Sequence, residues 1–493
     1  STFGAEQIVG ALAYSQPIHT LCLFKMMRKA GAAMAALGFS ALSLQGCGGG
    51  SGSTATTVTT TKVATTTTTT TVTTTTLGPL GPQSKQDLVP IKGISYRALP
   101  FKTPDIPPGE DMMQKGYEFM YHTGRDDLGM MRAMGASAIR IYAGLGSELY
   151  TDHGAFLDRA FDLGLNVIVD FYTSALCPEF DCYATWKNMT VTGLKNQGMM
   201  KDGGWHPAIK IIMLMNEPDN LPFTDDQGAQ PSCPKDAAEP PQFMPWCRVK
   251  AVLSALDGLM AAEEAAGIAD GSSAMVGVAW SFASRESIDK VCKPSMPNEN
   301  MFGFQDIMAG IADPDIASYS FRTSGSTKFY KNRWVNAINS PAPWSFTKLK
   351  VNDQYTPYAP TKFFISQLTP ADDSPQDLNA DLIAIDAEAK KGGEFMGVVV
   401  KGFQTDYTDP EAFTFMFNLG DKKLGSVHVC HESPGHPENP ICGDYDIWCL
   451  DPTKGKHSAD VSEAWGGKVK PAMGLCPGLA EVPVEEDATD FIA

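Results

Sequence analysis

The chain has 493 residues, with 56 acidic against 39 basic side chains, a net charge of −17 and a pI near 4.9. That balance excludes nucleic acid and anionic membrane surfaces as partners, since both need a basic face to displace counterions. A neutral polymer such as a polysaccharide is indifferent to it, and the length holds one large domain with extensions, such as an α/β barrel of about 250 residues or more.

Near the start, Met26-Met27-Arg28-Lys29 precede the small, apolar run AGAAMAALGFSALSLQG, which ends at Cys47. A basic beginning, a short apolar centre and small closing residues make 26–47 a signal peptide or signal anchor, with translation starting at Met26 or Met27. The run falls short of the ~20 apolar residues of a spanning helix, and membrane contact is expected only through such an anchor. Residues 48–87 open with Gly and Ser and continue as a tract made almost wholly of Thr. Such a segment cannot bury apolar surface, so it should form an extended, O-glycosylated tether to a secreted or wall-bound head. Nine cysteines follow Cys47; in an oxidising compartment most should pair, and the odd count leaves at least one over.

From residue 91 onward, short apolar runs alternate with amphipathic stretches, the pattern of a parallel sheet. Eight strands are expected, at 91–97, 138–143, 166–172, 209–216, 275–282, 316–321, 362–368 and 397–403. Helical patterns fall at 125–134, 154–163, 248–266 and 377–391. Eight strands alternating with helical stretches predict an α/β fold, a (β/α)8 TIM barrel over 88–420 with long loops at its C-terminal face, since an open doubly wound sheet would stop sooner. Residues 421–493, with Cys430, Cys442, Cys449 and Cys476 among many Pro and Gly, should form a disulfide-held extension.

The long loops carry aromatic residues that suit a sugar cleft, among them Tyr172, Tyr183 and Trp186, then Phe223, Phe243 and Trp246, then Phe329, Tyr330, Trp334 and Trp344. Taken singly, each is as well explained by local packing. Cys177 is expected to pair with Cys182, and Cys233 with Cys247 or Cys292. Asn188-Met189-Thr190 is a glycosylation sequon, which places its segment at the surface as a loop. His428, Cys430, His431 and His436 match no standard zinc spacing, so neither a metal nor any other cofactor is expected.

The most informative stretch is IKIIMLMNEPD at 209–219, a buried parallel strand that breaks abruptly into polar residues at the end where such barrels keep their chemistry. Its Asn216-Glu217-Pro218 resembles the fourth-strand end of the clan A glycoside hydrolases, the group that includes cellulases, mannanases and β-glucanases. The alternative is that the same residues merely cap a helix. The resemblance implies Glu217 as acid/base and Asn216 as ligand of the sugar 2-hydroxyl, with no cofactor. A proton donor also needs partial burial near other acids, which places Glu217 in the cleft floor. From residue 91 to about 420 the chain also resembles the fungal-wall glucanosyltransferases, whose seventh strand carries Phe-Phe-Ser-Glu with the Glu as nucleophile. Here the run is Phe363-Phe364-Ile365-Ser366-Gln367, so an amide stands at the nucleophile position.

Arg140 corresponds to the clan's arginine that hydrogen-bonds the nucleophile, and it should lie within reach of Gln367. Tyr142, Tyr172 and Trp280 are further expected substrate-binding residues at strand ends. An amide is a poor nucleophile and brings no charge to an oxocarbenium-like transition state. Three readings therefore stay open: an inactive carbohydrate-binding or wall protein, an inverting enzyme that uses Asp170, Glu179, Asp219 or Asp406, and a substrate-assisted route.

Overall fold

The computed structural model describes residues 87–102, 109–122, 124–145, 151–171, 177–219, 223, 246–269, 274–281, 302–369, 377–405, 416–433, 436–452, 457–468 and 475–476. The signal segment, the Thr tract up to residue 86, Tyr172, Cys233, Cys292 and Asp406 lie outside these residues. The barrel and the C-terminal extension belong to one compact unit, Gln86–Ala493.

Eight parallel strands close into a barrel: β1 (Ile91–Tyr96), β2 (Ala138–Leu145), β3 (Asn166–Phe171), β4 (Ile209–Asn216), β5 (Met275–Trp280), β6 (Trp334–Ser340), β7 (Lys362–Leu368) and β8 (Phe395–Val400). Each pairs with the next in sequence, and β8 closes on β1 with Ile91 opposite Gly397. Gly397 sits at φ 126°, and a Cβ there would lie 2.3 Å from the carbonyl oxygen of Ile91, so closure at this point requires glycine. Alternation along the strands gives two cores. Ile168, Ile211, Ala279, Val335, Phe364 and Val399 fill the lumen in layers. Their neighbours turn outward onto the helices, the largest of which is α4 (Trp246–Ala266), preceded by α1 (Asp127–Ala133), α2 (Gly154–Asp162) and α3 (Tyr183–Asn196). Alternation also brings Ser95, Arg140, Asp170, Asn339 and Ser366 inward, as the polar layer above the apolar ones.

The sixth strand differs from expectation. Residues 316–321 are not a strand: they leave a short 3₁₀ turn (Pro314–Ala317) and continue as a loop pinned to α4. The cause is Asp257, whose buried carboxylate accepts from Tyr319 Oη (2.6 Å), Arg322 N (2.8 Å), Thr323 N (3.0 Å) and Thr323 Oγ1. The two backbone donors follow directly on the expected strand, so its end is tied to the helix. The true strand, WVNAINS, is fully buried but carries Asn336, Asn339 and Ser340, and this polar content masks it in a hydrophobicity pattern. Asp257→Ala should lower the unfolding free energy by about 3 kcal/mol, since it leaves several inward donors unpaired. Urea unfolding followed by circular dichroism would measure it, and a loss under about 1 kcal/mol would mean that the loop repairs these bonds itself.

The extension is a long antiparallel hairpin, β9 (Asn418–Ser433) with β10 (His436–Asp451), followed by a Cys449–Cys476 disulfide. A fully buried ion pair fixes its root to the barrel. Arg125 Nε and Nη2 reach the Asp127 carboxylate at 2.9 and 3.1 Å, and further guanidinium N–H groups reach Gln404 Oε1 and the Trp448 carbonyl (3.5 Å). Tyr96 Oη donates to the same carboxylate at 2.8 Å. Because Tyr96 ends β1 and Gln404 follows β8, the hairpin root stands at the C-terminal face.

The expected Cys177–Cys182 disulfide is present. Cys247 is also disulfide-bonded, and Cys442 in the hairpin likewise. The sequon differs from expectation: Asn188 is exposed but helical, and Thr190 is buried in α3 with its hydroxyl donating to the Trp186 carbonyl at 2.7 Å. Several loop aromatics are packing residues. Trp186 is fully buried with Nε1 donating to the Leu214 carbonyl (2.9 Å), and Trp344 stacks on Phe395.

Candidate active site

Two of the ladder's irregularities fall between Met213 and Asn216 on β4 and between Ile338 and Asn339 against β7. Such irregularities re-aim side chains and concentrate beside active sites. Glu217, immediately after β4, has φ 52° and its N–H donates to the Ala279 carbonyl of β5 at 2.6 Å. A non-glycine residue held in the left-handed region costs on the order of 1 kcal/mol or more and persists only where neighbours enforce it. Here the bond to Ala279 is one enforcer, and the half-buried side chain is another, because Glu217 Oε1 accepts from Asn339 Nδ2 at 2.8 Å.

Arg140, fully buried on β2, organises the floor. Its five N–H groups are all engaged: Nε and Nη2 on the Asp170 carboxylate (3.0 and 2.5 Å), Nη2 on Asn216 Oδ1 (2.9 Å), and Nη1 on the Ser366 carbonyl (2.8 Å) and Asn339 Oδ1 (3.4 Å). Burial opposes the guanidinium charge, but Asp170, Tyr142 and Glu217 outweigh it and hold Arg140 above its ordinary range. The expected contact from Arg140 to Gln367 is absent, because the guanidinium is saturated by Asp170, Asn216, Asn339 and the backbone of the residue before Gln367. Tyr142 takes that place. Its hydroxyl donates to Gln367 Oε1 at 2.6 Å, its ring lies 4.6 Å beneath the Arg140 guanidinium, and Gln367 Nε2 donates to Thr369 Oγ1 at 3.1 Å. The amide is therefore fixed in one orientation at the end of β7.

The structure thus brings together Asn216, Glu217, Arg140, Tyr142 and Gln367. It does not bring Trp280 to them: strand parity turns this side chain outward, where it packs against Gly303 of α5 (Phe302–Ala312) in the outer core, 3% exposed. Among the acids considered for an inverting route, Asp170 is committed to Arg140, and Glu179 is exposed on the loop after β3. Asp219 is different. Burial, opposed by hydrogen bonds from Ser281 and reinforced by the charge of Glu217, raises its carboxyl to about 6. Its two oxygens accept from Ser281 N (3.2 Å) and Ser281 Oγ.

Since Asp219 binds its proton more tightly in the folded chain than at the unfolded value of about 3.9, its contribution to stability falls as pH rises from about 4 to about 6 and stays lost above. Asp219→Asn keeps the shape and removes this penalty. Relative to wild type, the variant should therefore gain on the order of 2 kcal/mol of unfolding free energy between pH 4 and pH 7. Urea midpoints of both proteins at the two pH values test it, and an identical difference at both would refute it.

The residue that sequence reading missed is Asn339, which touches Asn216, Glu217, Arg140 and Ser366 at once. Its signal was present as the polar pair in VNAINS, but that segment was not assigned to the barrel. Fold and site together define a (β/α)8 barrel with an Asn-Glu pair at the end of β4, supported by a saturated inward arginine. No protein-family model and no curated protein sequence matches the chain. Among solved structures, a Saccharomyces cerevisiae Gas2p variant in complex with laminaritetraose and laminaripentaose is similar at 11% identity and a TM-score of 0.44, over 78% of this chain and 64% of that one. A Thermotoga maritima β-glucosidase in complex with noeuromycin shares 11% identity at a TM-score of 0.37, over 64% and 84% of the two chains. An enzyme termed AHE from Alicyclobacillus herbarius shares 12% at 0.33, over 62% and 82%. The chain thus spans under two thirds of the length of the Gas2p structure, and likenesses at this level concern architecture alone.

Proposed function

We propose that this chain is a glycoside hydrolase or transglycosylase acting on a β-linked polysaccharide such as β-glucan, exported to the cell surface or wall on its Thr-rich tether. The observation that carries the reading is the strained Glu217 beside Asn216 at the mouth of the barrel, both gripped by Asn339. In this reading Glu217 donates the proton to the leaving oxygen. Asn216, whose Oδ1 is occupied by Arg140 and Asn339, offers its amide N–H groups to a sugar hydroxyl, and Tyr142 lines the adjoining subsite. Tyr172, the next residue in the sequence after β3, belongs to the same proposal.

One observation favours a second reading, a carbohydrate-binding protein without cleavage: the neutral, fixed Gln367 where a retaining enzyme needs a carboxylate. Incubating the purified 88–493 unit with soluble β-1,3-, β-1,4- and mixed-linkage glucans, and scoring binding and product release separately, decides between the two. Release supports the enzyme, binding alone supports the second reading, and neither would remove both.

A further inference from the structure

We propose that Asn339 is a positioning residue that sets the proton affinity and the pose of Glu217. This rests on the reading of Glu217 as proton donor. The Asn339 side chain is 5% exposed and held on β6, so it is a fixed feature of the barrel wall. Its hydrogen bonds have only one chemically allowed sense. Arg140 Nη1 can only donate, so the atom that meets it is Oδ1, which also accepts from Ser366 Oγ at 2.8 Å. The opposite atom is then the NH2 group, with one hydrogen toward Asn216 Oδ1 at 3.0 Å and the other toward Glu217 Oε1 at 2.8 Å. One amide thus transmits the orientation of Arg140 to both residues of the pair.

A neutral donor aimed at a carboxylate stabilises the ionised form without adding a charge. Among the described residues, the charged and titratable groups around Glu217 are Arg140 and Tyr142 on β2, Asp170 on β3, bound to that arginine, and Asp219 on its own loop; Ser366 and Gln367 on β7 are neutral. Asp170 balances Arg140, and the charge of Glu217 helps to raise the Asp219 carboxyl. Removing Asn339 changes a hydrogen bond to Glu217 and leaves those charges in place. A residue that was merely structural would move stability and leave the titration of Glu217 unchanged.

The test is the titration of the Glu217 δ-carboxyl by ¹³C NMR in glutamate-labelled 88–493 protein, its signal assigned by its disappearance in Glu217→Gln. Asn339→Ser, which keeps a small polar group, should raise the midpoint by about one unit, and Asn339→Asp, nearly isosteric, should raise it further because a carboxylate then faces Glu217. On a cleaved glucan the alkaline limb of kcat should move up by the same interval, with KM changed less than about threefold. Midpoints unchanged in both folded variants would overturn the proposal. The titration needs no substrate. An upward shift in a protein that cleaves nothing would support this role and sink the hydrolase reading, while an unmoved titration in an active enzyme would do the reverse.

Discussion

Replacing Glu217 by Gln should reduce product release from the best glucan by roughly 10²–10⁴-fold, the range general acid catalysis contributes, while binding of that glucan changes little. The amide has the volume of the carboxyl and can still accept from Asn339 Nδ2, and the backbone bond to Ala279 does not depend on the side chain. Fold and cleft shape should survive; what disappears is the transferable proton. Reducing-end release and calorimetric binding, measured on the same preparations, separate the two effects. A variant that retains activity within about tenfold of wild type would end the assignment of Glu217 as proton donor.

Most of the barrel was legible in the sequence because most of its strands are continuous apolar runs that only a two-sided burial explains, as in IKIIMLMN on β4 and GVVV on β8. The sixth was not, and the reason is physical. A strand whose inward face supplies a polar hub must carry Asn339, and this one also carries Asn336 and Ser340 on its outward face where a pattern search expects Val or Ile, whereas the Tyr319 and Phe321 alternation imitates a strand in a loop that Asp257 holds by its backbone. Within the candidate site, Asn216, Glu217 and Arg140 were singled out by the resemblance to the clan A hydrolases, and the structure places them side by side. The division of labour around Gln367 was not legible in this way: whether Arg140 or Tyr142 meets that amide depends on how many of the guanidinium donors Asp170 and the Ser366 carbonyl consume. Trp280 shows the same limit, since one step of strand parity decides between cleft and helix layer.

Gln367→Glu is the substitution from which a gain is expected. A carboxylate at this position would keep the Tyr142 hydroxyl as a donor at the present 2.6 Å, and the Thr369 hydroxyl, now accepting from Nε2, can turn to donate instead. Arg140 has no N–H left for it, and its charge, 4.6 Å from the Tyr142 ring, already faces Asp170 and Glu217, so the two hydroxyls are the main support. The new carboxylate would thus be solvated by two hydroxyls, and in the proposed reading it would serve as the nucleophile that a retaining enzyme needs beside Glu217. Retaining hydrolysis or transglycosylation of a β-glucan should appear or rise about a hundredfold or more. A 2-fluoro glycoside should leave a covalent adduct on residue 367, visible as a mass increment in the intact protein and located by peptide mapping. If instead the wild type cleaves with inversion and the variant is silent, the amide is a bystander, and Asp219, the other acid held beside Glu217, becomes the base to test. If neither protein cleaves any glucan it binds, a single restored charge is insufficient, and the cleft is one that holds polysaccharide without cutting it.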